Sequence, residues 1–252
     1  MTDPQYNVGI GQMTSQKKGF VYSIKDATAP TKIQSLNVAW YYNWNYAPTP
    51  GMPASIPWTP MSWSNTTASN SSIMSTLSGD SSHCILGFNE PDSAQQSNMT
   101  VQQALQLWPT LVATGRRIGS PATAGNATTT GSWFDQFMQS NPKPKVDFIA
   151  IHWYAAPNTA SLLNIVDTLH TKYNLPIWIT EFAVADWKTP NKYTMDQVAA
   201  FMKEVIPELE SRPHVERYSW KTRTLSDPNM GSSSIFNDDG TLTALGQLYA
   251  TF

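Results

Sequence analysis

Pro176-Ile-Trp-Ile-Thr-Glu-Phe182 and Ile85-Leu-Gly-Phe-Asn-Glu-Pro-Asp92 are two apolar runs, and each carries a glutamate near its end. Short runs rich in β-branched and aromatic residues predict buried strands. An ionised carboxylate is costly to remove from water, so a glutamate seldom closes such a strand. Because this happens twice in one chain, at Glu90 and Glu181, the sequence suggests an active site built on paired carboxylates.

Runs of this character recur along the chain and predict eight strands, at residues 19–23, 37–42, 56–63, 85–89, 117–121, 147–154, 176–181 and 215–220. Each is followed by a helical pattern or a long connection, which predicts an α/β fold of the (β/α)8 TIM-barrel type. A doubly wound open sheet would produce a similar pattern. Residues 65–82, rich in Ser, Thr and Asn, predict a surface connection. The length suits a single-domain barrel over 1–252, with a weakly structured N-terminal segment at 1–18.

Helical spacing is clearest in three of the connections. Thr100 with Gln103, and Thr194 with Gln197, form capping-box signals in front of apolar stripes. Pro207 predicts that the second of these helices ends or kinks there. A third helix is predicted by the apolar residues Leu162, Ile165, Val166 and Leu169.

The composition narrows the class of partner. The net charge is −2 and only 13% of residues are charged, so neither nucleic acid nor an anionic membrane is an expected partner. The 10 tryptophans and 10 tyrosines offer flat apolar faces with a polar edge, which suit sugar rings as well as a protein core. Cys84, the single cysteine, lies in an apolar run where we expect an inert buried thiol. We expect a monomer.

Two features bear on localisation. The first residues, Met1-Thr-Asp-Pro-Gln-Tyr6, lack the basic and apolar regions of a signal peptide, and no stretch approaches the roughly 18 apolar residues of a membrane span, so we expect a soluble chain. Asn-X-Ser/Thr sequons begin at Asn65, Asn70, Asn98 and Asn126. They predict a secreted or cell-wall-associated glycoprotein whose leader lies outside this sequence, although sequons also arise by chance in chains rich in Ser and Thr.

Glu90 and Glu181 would meet at one face of a barrel. They close the fourth and seventh predicted strands, whose carboxyl ends open on the face where barrel enzymes build their sites. Glycoside hydrolysis needs one carboxyl group protonated to release the leaving oxygen, and another ionised as nucleophile or as base for water. Each glutamate also has a structural alternative. Glu90, followed by Pro91, would stabilise a helix N-terminus, and Glu181 would form a salt bridge to a neighbouring strand.

Other polar residues fall at the same strand ends. Asn89 precedes Glu90, where it would hydrogen-bond a sugar hydroxyl or form a turn. His152 and Tyr154 are two residues apart, so they point to one face of their strand. We favour a site role for His152 over that of a core histidine. A Tyr154 hydroxyl donating to Glu181 would hold that carboxylate ionised.

The last predicted strand also carries aromatic residues. Glu216, Tyr218 and Trp220 alternate along it and therefore share one face. Trp220, at the open end, would form the floor of a sugar subsite, and a plain core tryptophan is the alternative.

Five strings, in this order, resemble glycoside hydrolase family 128: Gly87-Phe-Asn-Glu-Pro-Asp92, Gly119-Ser-Pro-Ala122, Asp147-Phe-Ile-Ala-Ile-His-Trp-Tyr154, Ile177-Trp-Ile-Thr-Glu-Phe-Ala183 and Val215-Glu-Arg-Tyr-Ser-Trp220. The similarity runs from about residue 37 to the C-terminus and includes Ala39-Trp-Tyr-Tyr-Asn-Trp44. Asn-Glu-Pro alone would indicate only the wider clan of retaining barrel glycosidases. The fungal branch of the family is the most similar, and Lys221 departs from the apolar or aromatic residue expected after Trp220.

The resemblance implies a (β/α)8 barrel that cleaves β-1,3-glucan with retention of anomeric configuration, and we expect endo action. By position, Glu90 resembles the acid/base of the family and Glu181 its nucleophile. Substrate-binding positions are implied at Asn43, Trp44, Asn89, His152, Tyr154 and Trp220. Retention predicts carboxyl groups roughly 5–5.5 Å apart.

No cofactor is expected, and no metal ion. The histidines show no spacing typical of metal ligands; they are His83, His152, His170 and His214. Two alternatives keep the barrel: a β-glucan-binding protein without hydrolytic activity, or a retaining glycosidase of another β-glycan such as cellulose or mannan. A structural or adhesive protein is a third, which the strand-ending glutamates disfavour.

Overall fold

The strands are arranged in two groups of parallel neighbours. The computed structural model describes residues 15–79 and 82–252. Within them the regular strands are β1 (Lys18–Val21), β2 (Trp40–Tyr42), β3 (Cys84–Ile85), β4 (Arg117–Ile118), β5 (Ile149–Ala155), β6 (Ile177–Val184) and β7 (Val215–Trp220). One sheet has the order β2-β1-β7-β6-β5 and the other pairs β3 with β4, and every pairing is parallel.

Parallel bridges between single residues join these two sheets into a closed ring. They link Tyr41 to Trp58, Met61 to Leu86, and Gly119 to Phe148. Residues 58–61 thereby occupy the position between β2 and β3 without forming a regular strand. The ring has eight positions that match the eight predicted strands, so the prediction of a (β/α)8 TIM barrel is confirmed.

Helices connect the strands along the chain. They are α1 (Ala29–Gln34), α2 (Asn65–Ala68), α3 (Ser71–Gly79), α4 (Val101–Val112), α5 (Trp133–Met138), α6 (Thr159–Tyr173), α7 (Met195–Ser211) and α8 (Ala244–Ala250), with a 3-10 turn at Gly231–Ser233. The capping boxes predicted at Thr100 and Thr194 both form, at the starts of α4 and α7. The third predicted helix is α6. No helix in the described part of the chain is long and apolar enough to cross a bilayer.

Two connections carry more helix than their sequences indicate. Helix α7 does not end at Pro207 but continues to Ser211, because buried apolar residues on both sides of the proline hold its last turns against the core. A kink at Pro207, the other predicted outcome, stays a prediction. The connection 65–82 lies at the surface as predicted, and its described residues include α2 and α3. The side chain of Asn70 accepts backbone N–H groups at the start of α3, and Leu77 is buried beneath that helix.

The N-terminal segment is packed where the structure describes it. Residues 1–14 of the segment predicted as weakly structured lie outside the described residues. Lys18 already belongs to β1 and is buried, and its Nζ donates to the carbonyl of Tyr249 at 2.9 Å. Lys17 donates to the carbonyls of Glu210 and Arg212 at 2.7 and 2.9 Å. The prediction was therefore wrong for Lys17 and Lys18, because these lysines satisfy carbonyls left without partners at helix ends.

The core forms two layers. The barrel interior is filled by Val21, Trp40, Tyr42, Met61, Cys84, Leu86, Phe148 and Trp178. A larger cluster packs the outward faces of the strands against the helices. Gly119 is required by the inner layer, because a Cβ there would lie 2.5 Å from the Phe148 ring. Burial raises the pKa of the Cys84 thiol, as expected for an unreactive cysteine.

Candidate active site

Glu181 reaches the barrel mouth because of an irregularity in β6. Trp178 points into the barrel and Ile179 points toward the helices, so strict alternation would turn Glu181 toward the helices as well. The registers of β6 with both of its neighbours contain one extra β6 residue between Ile179 and Phe182. This β-bulge, at Thr180, reverses the alternation and turns the glutamate inward.

Glu90 is held in an unusual backbone conformation just after β3. Its φ of 42° lies in the left-handed region, which costs a residue with a side chain about 1–3 kcal/mol and is found mostly at functional sites. The backbone N–H groups of Asn89 and Glu90 donate to Trp63 at 2.9 Å and to Ala122 at 2.7 Å, so neighbouring segments on both sides fix the turn. The chain continues as turns and enters α4 only at Val101, so Glu90 does not cap a helix.

His152 lies between the two glutamates. Its Nδ1 is 2.7 Å from Oε1 of Glu90, and its Nε2 is 3.3 Å from Oε1 of Glu181. The second contact is within ion-pair distance, but Nε2 makes no hydrogen bond of acceptable geometry, so we treat it as electrostatic. A carboxylate oxygen from each glutamate and a ring nitrogen all lie within 4.8 Å of one another. An approach this close between single oxygens agrees better with the roughly 5–5.5 Å between the carboxyl groups of retaining glycosidases than with the roughly 6.5–9.5 Å of inverting ones.

Three neutral donors converge on the Glu181 carboxylate. The indole N–H of Trp44 donates to Oε1 at 2.7 Å, and the hydroxyl of Tyr42 lies 3.1 Å from the same oxygen. The hydroxyl of Tyr154 donates to Oε2, as the sequence predicted. Burial and the charge of Glu181 raise the pKa of both tyrosines well above their ordinary value, so they remain protonated donors.

The environment keeps Glu181 ionised although it is only 5% exposed. Burial by itself would raise the pKa of this carboxyl group. The positive charges of His152 and Lys221 and the hydrogen bonds from Tyr154 and Trp44 outweigh burial and hold its pKa below the ordinary value. An ionised carboxylate at neutral pH is what a nucleophile requires.

His152 is the positive partner of both carboxylates. Burial alone would lower its pKa, but the charge of Glu181 and the hydrogen bond and charge of Glu90 raise the pKa above its ordinary value. The same three side chains carry atoms that metal ions bind. Both ring nitrogens, however, face carboxylates, and a metal ion would have to displace the proton that this arrangement stabilises. The donor set therefore fits an imidazolium bridge better than a metal centre.

A cleft of about 1110 Å³ opens over these groups. Its lining includes the predicted residues Asn43, Trp44, Asn89, Glu90, Tyr154 and Glu181. His152 lies behind them, with its side chain fully buried. The structure thus brings seven of the eight predicted residues together at the barrel mouth.

The two asparagines of the cleft differ in what they offer a ligand. The Asn43 amide donates to Ala47 and Thr49, and its oxygen accepts from Trp58 and from the backbone of Asn45, so its capacity is used within its own loop. It supports the loop that carries Trp44. Asn89 donates to Gln96, but its buried Oδ1 has no partner in the described residues. That oxygen is available to a ligand hydroxyl.

Trp220 is the predicted site residue that the structure places elsewhere. It shares a face with Tyr218 as predicted, but that face points toward the helices. Trp220 is 0% exposed, packs edge-on against Phe182 at 4.9 Å, and donates its indole N–H to Ser233 at 2.9 Å. The prediction of a sugar subsite at Trp220 was wrong. The register of β7 contains an extra residue near Glu216, which decides the face that its later residues present.

Four site residues escaped the sequence reasoning. Tyr42 and Lys221 act on Glu181, while Trp187 and Arg223 form part of the cleft wall. Trp187 is 52% exposed, and its ring meets that of Tyr154 edge-on at 5.9 Å. A signal was present for Tyr42, which is two residues before Trp44 on a predicted strand. The sequence carried no such signal for Trp187, because local sequence does not predict how far a loop extends over the barrel mouth.

Comparison with known proteins agrees with this geometry. The family described as "Glycosyl hydrolase catalytic core" matches residues 19–249. A family 128 (subgroup I) endo-β-1,3-glucanase from Amycolatopsis mediterranei, solved with laminaripentaose, has 30% identity and a TM-score of 0.84, covering 94% of this chain and 99% of that one. A subgroup II endo-β-1,3-glucanase from Sorangium cellulosum has 26% identity and a TM-score of 0.76, covering 93% and 97%.

A third relative is longer. Alkali-sensitive linkage protein 1 of Schizosaccharomyces pombe is 30% identical over 221 residues, which are 84% of this chain and 40% of that protein. The chain therefore spans about two fifths of that relative. This chain belongs to glycoside hydrolase family 128, within the glycosyl hydrolase catalytic core family. The resemblance seen in the sequence is thereby confirmed.

Proposed function

We propose that this protein is a retaining endo-β-1,3-glucanase. The observation that carries the proposal is the pair of glutamate carboxylates within 4.8 Å at the barrel mouth, of which Glu181 is kept ionised. The Amycolatopsis and Sorangium relatives are both endo-β-1,3-glucanases. Family, fold and site geometry thus support one reaction class.

In the first half of the reaction Glu181 acts as the nucleophile. Its carboxylate oxygen attacks the anomeric carbon, and the bond from that carbon to the glycosidic oxygen breaks. Glu90 gives its proton to the departing oxygen at the same time. The product is a glycosyl ester of Glu181, and Tyr42, Trp44 and Tyr154 hold the attacking group in place before the bond forms.

In the second half Glu90 acts as the base. It takes a proton from water, whose oxygen attacks the anomeric carbon, and Glu181 leaves as a carboxylate with the configuration retained. His152 links the two halves because its Nδ1 is 2.7 Å from Glu90. Its positive charge stabilises the carboxylate that Glu90 becomes after giving up its proton.

The cleft is suited to an uncharged glucan with hydroxyl groups. Asn89 offers an unpartnered oxygen beside Glu90, and Trp187 presents an exposed ring on which a glucose unit can stack. A volume of about 1110 Å³ exceeds the roughly 300–1000 Å³ of most small-molecule pockets. The lining comes from loops that follow β1, β2, β3, β4, β6 and β7, so several sugar units fit across the mouth.

The test is product analysis on laminarin. We expect early release of oligosaccharides of mixed length, and proton NMR of fresh product is expected to show the β anomer. Release of a single short product would indicate exo action, and an α anomer first would contradict the nucleophile assignment. Binding of laminarin without new reducing ends would identify a glucan-binding protein. A preference for cellulose or mannan would overturn the assignment of β-1,3-glucan as the substrate.

We also propose that the protein is secreted or associated with the cell wall and carries N-glycans. The sequon residues Asn65, Asn70, Asn98 and Asn126 are all exposed, so each is accessible to glycosylation. Protein isolated from its source organism is expected to lose mass on treatment with a peptide N-glycosidase. An unchanged mass would contradict the proposal.

A further inference from the structure

Lys221 enters the active site from the inward face of β7. Arg217 lies over the ring of Trp178 inside the barrel, with its guanidinium 4.3 Å from the ring centroid. Two-residue steps from there carry Ser219 and then Lys221 along the same face. The backbone N–H of Lys221 donates to the carbonyl of Phe182 at 2.9 Å, which ties it to the residue next to the nucleophile.

The ammonium of Lys221 contacts the tryptophan that binds the nucleophile. Nζ lies 4.2 Å from the centroid of the Trp44 ring, a cation–π contact. The N–H of the same indole donates to Glu181 at 2.7 Å. Trp44 has a φ of 54°, so the backbone that carries its side chain is strained.

The other cationic side chains near Glu181, those of His152 and Arg223, each pair with another carboxylate. His152, from β5, is shared with Glu90 at the end of β3. Arg223 pairs with Asp227 at 3.0 Å. Among the described residues, Lys221 Nζ makes neither a hydrogen bond nor an ion pair within 4.0 Å.

We propose that Lys221 is a positioning residue for the nucleophile. Its ammonium holds the Trp44 indole in the orientation that donates to Glu181, and it places a positive charge on that side of the carboxylate. This role rests on the proposed function, in which Glu181 is the nucleophile.

The direct test follows the titration of the Glu181 carboxyl group by NMR in protein labelled with ¹³C-glutamate. In Lys221→Met the carboxyl pKa is expected to rise by about one pH unit, because an opposite charge has been removed. Lys221→Arg keeps the charge and is expected to stay near wild type. Lys203→Met, on the exposed face of α7, is the matched control for loss of one lysine charge.

Kinetics on laminarin separate positioning from substrate contact. In Lys221→Met we expect kcat to fall about 10-fold to 100-fold with KM nearly unchanged, and the acid limb of the pH profile to move to higher pH. Because Lys221 acts through Trp44, most of this loss is expected to disappear in a Trp44→Phe background.

Two results would overturn the proposal: an unchanged Glu181 titration in Lys221→Met, or a rise in KM alone. If wild type is inactive on laminarin while the titration still shifts, the proposed function fails and the effect of Lys221 on Glu181 stands. If the methionine variant does not fold, Lys221→Gln, which also removes the charge, is expected to give the same shift, and an unchanged titration in it would overturn the proposal equally.

Discussion

The two ends of the barrel interior use charge in opposite ways. At the amino ends of the strands, the Glu216 carboxylate is paired with Arg117 at 3.1 Å and accepts the indole N–H of Trp178 at 2.9 Å, beside stacked aromatic rings. At the carboxyl ends, Glu90 and Glu181 share the cation His152 under an open cleft, and Lys221 adds a second positive charge beside Glu181. One end satisfies its charges locally, and the other concentrates charge where a ligand binds. The difference teaches that stability and chemistry occupy opposite ends of one barrel.

The largest expected effect comes from Glu181→Gln, compared with Glu216→Gln at the other end. Loss of the nucleophile is expected to lower kcat on laminarin on the order of 10⁴-fold or more while glucan binding persists. Glu216→Gln keeps an acceptor for Trp178 and is expected to remain close to wild type in activity. A reducing-end assay measures activity, and affinity electrophoresis measures glucan binding. Equal losses of activity in the two variants would show that the two ends of the barrel do not differ in function.

Removal of the acid is expected to have a smaller effect that depends on the substrate. Glu90→Gln should lose about 10²–10⁴-fold on laminarin, the usual contribution of a general acid. On an aryl β-glucoside with a good leaving group, formation of the glycosyl-enzyme should be much less affected, because that leaving oxygen needs no proton. Pre-steady-state release of the phenol measures this step. A loss of the same size on both substrates would argue against an acid role for Glu90.

Stability is expected to depend more on the amino ends of the strands, which are filled by packed side chains, than on the carboxyl ends, which open into the cleft. Trp178→Ala, at the filled end, removes a buried ring and should lower the free energy of unfolding by about 3–5 kcal/mol. Trp187→Ala, at the open end, removes a ring that is 52% exposed and should change stability by about 0.5 kcal/mol or less. Urea unfolding measures both. A larger loss in Trp187→Ala would show that the cleft wall also supports the fold.

The smallest expected effect is a pH dependence of the free energy of unfolding, caused by titration of His152 and Glu181 at the carboxyl ends of the strands. The raised pKa of His152 stabilises the fold below its ordinary value of 6.5, and that stability is lost as pH rises through the folded pKa. The lowered pKa of Glu181 stabilises the fold above 4.5 and is lost as pH falls. In His152→Gln the alkaline decline should disappear from unfolding curves measured between pH 6 and 9. If the alkaline decline in stability persists in this variant, groups other than His152 cause it.

Much of the barrel was predictable because its signals are local. Apolar runs marked every position of the ring, and Thr100 and Thr194 marked helix starts, since a capping box involves only neighbours three residues apart. The segment 58–61 was found as a strand from its residues although it pairs only through single bridges. Helix α7 does not end at Pro207, because the free-energy cost of a proline inside the helix is outweighed by burial of the rest of α7.

The site was predictable to the extent that alternation along strands is regular. His152 and Tyr154 lie on the unbroken part of β5, and both reach Glu181 as expected. Alternation failed on β7, where Trp220 turned outward and Lys221 turned inward. It would also have failed on β6, where only the bulge at Thr180 turns Glu181 to the mouth.

The sequence by itself determined the eight strand positions, the identity of the two glutamates and the resemblance to the family to which the chain belongs. These depend on residue type and short-range pattern, which a chain carries at every point. Only the tertiary structure decided which face of β6 and β7 meets the cleft, because a bulge arises from pairing with strands distant in sequence. It also decided that Glu181 is ionised, since its pKa depends on His152, Lys221 and three donors brought from other strands and loops.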